Sequence, residues 1–135
     1  MTRLPNWRGL LVAWVAGAAT RPFAEGSHDC ALFAAGAIAA MTGADPAAGY
    51  RGRYRSTRGG LRVLRRAGLA DHLALADRHF ARIAPAFARA GDLAAVAEAG
   101  GPCLGIVQGE RIYVLRPEGL ATVPLTTAVT AWRVP

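Results

Sequence analysis

From Asp29 to Met41 the chain reads Asp-Cys-Ala-Leu-Phe-Ala-Ala-Gly-Ala-Ile-Ala-Ala-Met, with no charged residue after the first. A helix that is apolar nearly all round cannot lie on a surface, so this run predicts a central, buried helix around which the other elements assemble. Asp29 is suited to cap its start, and Thr42-Gly43 to end it. Hydrophobic residues make up 53% of the 135 residues and charged residues 19%. That is enough for one domain, residues 1–135, to bury a core without disulfides or metals, with apolar surface left over for a partner.

Before the central helix, Trp7, Leu10, Leu11, Trp14, Val15 and Ala18 recur at helical spacing between Asn6 and Ala19, which predicts an amphipathic helix with its tryptophans as core anchors. After it, Asp45-Pro46 and Gly49 mark a loop. A basic helix is expected from about Thr57 to Arg66, closed by Gly68, and a further one from Leu69 to about Arg78. Beyond Pro85 the pattern changes to short strands. Leu93–Ala97 follows the Ala90-Gly91-Asp92 turn, Pro102–Val107 and Arg111–Arg116 flank Gln108-Gly109-Glu110, and Leu120–Pro124 and Val129–Val134 complete the set. Helices first and an antiparallel meander afterwards predict an α+β domain with the central helix packed on the sheet.

All sixteen basic residues are arginine, and the formal net charge is +7. Arg51, Arg53, Arg55, Arg58, Arg62, Arg65 and Arg66 gather in one region with Tyr50 and Tyr54. Such a patch suits phosphate, or else is a solvated face or a docking surface for an acidic protein neighbour; no nucleic-acid module accompanies it, so the latter readings are preferred over nucleic acid. Tyr50, Arg51, Arg53, Tyr54 and Arg55 are the candidate docking residues, since tyrosine and arginine carry most energy at interfaces. Two cysteines are too few for a disulfide framework, and no zinc spacing is present. No cofactor, signal peptide or transmembrane segment is expected: the run Leu10–Ala19 is too short to span a bilayer.

Chemistry concentrates at the start of the central helix, where a turn-rich loop ending Gly26-Ser27-His28-Asp29 delivers Cys30. Unpaired N–H groups and the positive end of the helix dipole favour a thiolate there. Asp29-Cys30, Gly91-Asp92-Leu93 and Leu104-Gly105-Ile106 follow one another in an order and spacing that resembles the NlpC-type papain-fold cysteine peptidases. The resemblance runs from Pro22 to about Leu120 and is strongest to the small relatives encoded in phage and prophage tail gene clusters. It implies a papain-like α+β fold, with Cys30 at the nucleophile position and the Gly91-Asp92 turn leading into a strand. The family's histidine would stand immediately before Leu104-Gly105-Ile106, where this chain has Cys103. The family's third polar residue would fall near Tyr113 or Val114, neither of which suits the role.

A degenerate catalytic site is therefore expected, and with it a catalytically inactive structural or assembly component of a phage or phage-derived tail tip or baseplate. Such a protein would be made in the bacterial cytoplasm, bind other tail proteins and enter the particle. The rival reading is an active cell-wall peptidase or amidase acting on peptidoglycan peptides, with Cys30 as nucleophile, His28 as a weak candidate base and helix-start N–H groups as oxyanion donors. A basic nucleic-acid-binding module is the second alternative. Cys30 and Cys103 facing one another could also serve redox chemistry, although two thiols alone make a poor zinc site.

Overall fold

A computed structural model describes all residues 1–135. Four helices, α1 (Trp7–Ala18), α2 (Cys30–Thr42), α3 (Thr57–Arg66) and α4 (His72–His79), precede a six-stranded antiparallel sheet. Its strands are β1 (Arg82–Ile83), β2 (Leu93–Glu98), β3 (Gly101–Val107), β4 (Arg111–Arg116), β5 (Gly119–Pro124) and β6 (Ala128–Trp132). The α+β class and the helix-on-sheet arrangement are as the sequence pattern leads one to expect. No helix is long and apolar enough to cross a membrane.

The expected central helix is α2, whose Leu32, Phe33, Ala34, Ala35, Gly36, Ala37, Ile38 and Met41 are all buried. Asp29 caps its first turn through Oδ1, which accepts from the Leu32 N–H at 2.9 Å, and Gly43 ends it with φ +81°. Small residues let α1 approach closely. A Cβ on Gly36 would lie 2.2 Å from the Trp14 ring, whose Nε1 donates to the Phe33 carbonyl at 3.1 Å. Trp7 and Trp14 are half-buried, and the fully buried tryptophan is Trp132 on β6.

Alternate residues of the strands separate two cores. Leu93, Ala95, Leu104, Ile106 and Trp132 pack with Leu11, Ile38, Met41 and Phe80 from the helices. Ala94, Val96, Cys103, Val107, Ile112, Val114 and Ala131 form a second cluster on the other face of the strands, closed by Ile83, Ala88, Val123 and Leu125. Both faces of these strands are thus buried. The large apolar side chains left exposed are Met1, Leu4, Val12, Phe87 and Val129.

The last strand departs from the expected meander. β6 returns to pair with β2 rather than β5, giving the order β1-β6-β2-β3-β4-β5. The short turn Leu125–Thr127 leads from β5 into this return, and β1, absent from the sequence reading, pairs Arg82 with Trp132 and Ile83 with Ala131. Asp92, wholly buried at the β2 start, fixes the return. Its oxygens accept from Arg3 Nη2 (3.1 Å), Arg89 N (2.9 Å) and Val134 N (3.0 Å), tying both chain ends to the sheet. The fourth helix also starts later than Leu69, because Asp71 caps it by accepting from Ala74 N at 2.9 Å.

Candidate functional site

Cys30 is the first residue of α2, and Cys103 is the third residue of β3. The two thiols meet where α2 packs on the sheet: Cys30 lies against the cluster that contains Cys103, and both line a cleft of about 880 Å³. Its walls come from the α2 start, the segment 46–65, the α4 start, the β2–β3 hairpin and the β4–β5 turn. Cys30 is partly exposed to this cleft, while Cys103 is 5% exposed.

The environment pushes the two thiols in opposite directions. Cys30 is lowered, first by the Cys103 thiol donating to it, then by backbone N–H groups of Leu104 and Ala31, against burial and the charge of Asp29. Cys103 is raised by the same pairing and by burial. Its proton has two acceptors in reach, the Cys30 sulfur and the Leu104 carbonyl at 3.6 Å. The corner therefore favours a thiolate on α2 and a protonated thiol on β3.

A rigid polar frame surrounds Cys30. Asp29 Oδ2 accepts from Gly26 N at 3.0 Å and from the Tyr54 hydroxyl at 2.5 Å. Gly26 is obligatory there: its φ is +87°, and a Cβ would fall 1.8 Å from the Tyr54 carbonyl oxygen. Burial, then the bond to Asp29, holds the Tyr54 phenol well above its usual value, so it remains a donor.

Two of the three imidazoles are held by backbone carbonyls. His28 is 1% exposed, and its Nε2–H donates to the Ala18 carbonyl at 3.2 Å, which anchors the end of α1. Burial lowers its pKa, and it acts as a structural group rather than as the weak candidate base that the sequence offers. His72 does line the cleft, yet its Nε2–H is held by the Pro102 carbonyl at 2.7 Å. His79, the last residue of α4, is exposed at the cleft wall. No local pattern marked His72 as a cleft residue; the long-range docking of α4 against β3 puts it there.

The chain is a member of a recognised family. A family model described as "Domain of unknown function (DUF6950)" matches residues 2–134. The chain belongs to the DUF6950 family. No curated protein matches it significantly.

Two positions of this DUF6950 domain differ in role from their sequence reading. Arg51 pairs with Asp45, Nε to Oδ2 at 2.6 Å, and also donates to the Leu32 carbonyl, so it braces the loop after α2. Tyr54 is bound to Asp29. Neither is free for docking, whereas Arg53 and Arg55 are exposed and make no ion pair, and Tyr50 lines the cleft. The unpartnered charge lies on α3. Arg58, Arg62, Arg65 and Arg66 are exposed, pair with no carboxylate and together line a shallow depression of about 460 Å³. Near the third catalytic position of the resemblance, Val114 is buried opposite Gly105. The polar pair at the cleft is instead Arg116–Glu98, 2.6 Å apart. No three His, Cys, Asp or Glu side chains gather in an arrangement that could hold a metal.

Proposed function

We propose that this DUF6950 domain is a papain-like domain of NlpC type that acts by binding and not by peptide hydrolysis, as a component or assembly factor of a phage or phage-derived tail tip. The observation that carries the reading is the identity of the group that β3 brings to Cys30: a buried thiol, Cys103, and not an imidazole. Hydrolysis of an amide needs a base to prepare the thiolate and an acid to protonate the leaving amine. The corner favours the thiolate and supplies no acid. The assignment to a tail particle rests on the likeness of Asp29-Cys30, Gly91-Asp92-Leu93 and Leu104-Gly105-Ile106 to the tail-cluster relatives.

The docking surface in this reading is the exposed arginine face of α3, extended by Arg53 and Arg55, and its partner is an acidic face of a neighbouring tail protein. Between Asp45 and Asp71 the chain has no acidic residue to neutralise that face from within. The test is particle incorporation. Arg58→Glu with Arg62→Glu is expected to abolish incorporation without loss of fold, and normal incorporation of that variant would refute docking through α3. In parallel, purified protein incubated with cell-wall peptides is expected to release no product. Peptide release that is lost in Cys30→Ser would establish the peptidase instead.

A further inference from the structure

Disulfide exchange and amide hydrolysis ask different things of a cysteine site. An amine leaves only when protonated, whereas a thiolate leaves as it is, so exchange requires no imidazole. It requires an ionised sulfur within reach of solvent and a second, protonated sulfur held beside it to resolve the mixed disulfide. Cys30 opens on the cleft from the first turn of α2, and Cys103 lies behind it on β3, with its thiol directed to the Leu104 carbonyl or the Cys30 sulfur. They are the only two cysteines of the chain, and the fold brings them to one point.

We propose that Cys30 and Cys103 form a thiol–disulfide exchange centre, in which Cys30 attacks a disulfide entering the cleft and Cys103 resolves the product. The Cys30 thiolate forms a bond to one sulfur of the substrate R–S–S–R′ and releases R′–S⁻. The departing thiolate takes up a proton from water. With Cys30 in the mixed disulfide its charge no longer holds the proton on Cys103, which loses it to solvent and attacks the Cys30 sulfur, forming the Cys30–Cys103 disulfide and releasing R–S⁻. Two electrons pass from the two protein thiols to the substrate, which leaves as two thiols. Access assigns the roles: Cys30 is partly exposed at the cleft, where a substrate disulfide can reach it, and Cys103 is buried behind it, in place to resolve the product. This chemistry is independent of docking through α3.

The reduced full-length chain, mixed with oxidised glutathione at neutral pH and quenched with acid over time, provides the test by intact mass and peptide mapping. A glutathione adduct is expected first on Cys30, followed by protein that has lost two hydrogens and carries a Cys30–Cys103 bridge. Cys103→Ser is expected to stop at the adduct, with complete loss of bridge formation, and Cys30→Ser to lose the adduct as well. A wild-type adduct that never converts to the bridge, a first adduct on Cys103, or no reaction before unfolding would each overturn the proposal. The mapping of wild-type protein decides the matter even where a variant folds poorly.

Discussion

Asp92 and Asp29 occupy comparable places with different consequences. Each stands at the start of an element within three residues of a positive-φ glycine, Gly91 at Asp92 and Gly26 at Asp29, and each accepts a backbone N–H from three residues before it, Arg89 at Asp92 and Gly26 at Asp29. At Asp92 every remaining bond goes to architecture: Arg3 and Val134 seal a carboxylate with no exposure. At Asp29 the bonds to Leu32 N and Tyr54 only frame the next residue, and Cys30 is left facing a cleft. The same local device thus closes one end of the sheet and opens a site at the other. The candidate site lies at the corner whose central side chain faces a cleft.

The largest effect that separates the two corners is expected from Asp92→Ala. It strands Arg3 and two backbone donors at a buried position, and equilibrium unfolding should show a loss of about 3–5 kcal/mol. Asp29→Ala removes a helix cap and should cost about 1–2 kcal/mol in the same measurement. A larger loss at Asp29 than at Asp92 would reverse the comparison. Tyr54→Phe should cost about 1 kcal/mol, the typical net value of one hydrogen bond. It should also slow Cys30 alkylation near neutral pH, because Asp29, relieved of its donor, opposes the thiolate more strongly. Unchanged reactivity would separate the frame from the thiol.

The smallest effect lies at His28. Its folded pKa is below the ordinary value of 6.5, so the unfolded chain takes up the proton first as pH falls. Stability from this group is complete above pH 6.5 and declines as pH falls through and below that value. His28→Gln, which keeps a donor for the Ala18 carbonyl, should flatten thermal stability against pH in that window. An unaltered slope would mean that the ring is not held as a neutral buried donor.

Much of this architecture is legible in local pattern. The all-apolar run from Ala31 to Met41, the Asp29 cap and the Gln108-Gly109-Glu110 hairpin each depend on near neighbours, and each stands where the sequence puts it. What local pattern lacks is long-range pairing. The return of β6 to β2 and the two-residue β1 depend on contacts across the sheet, and the Asp92 bonds reach Arg3 and Val134 at the chain ends. The site divides in the same way. Cys30 at a helix start is visible from its flanking residues, whereas the commitment of Arg51 to Asp45, Tyr54 to Asp29 and His28 to Ala18 becomes visible only when loops are folded together. Arginine and tyrosine in a cluster read equally well as a docking patch or as a brace. Partners in space decide between them.

The most direct test of a stabilised thiolate without a base is the pH dependence of iodoacetamide alkylation at Cys30 and Cys103 in the same folded molecule, read by peptide mass spectrometry. Cys30 should react through a single ionisation below the ordinary thiol value of about 8.5, with Cys103 silent until unfolding. A second ionisation in the histidine range would reveal an imidazole working on Cys30, and a profile centred on the ordinary value, or prior reaction of Cys103, would contradict the stabilised thiolate.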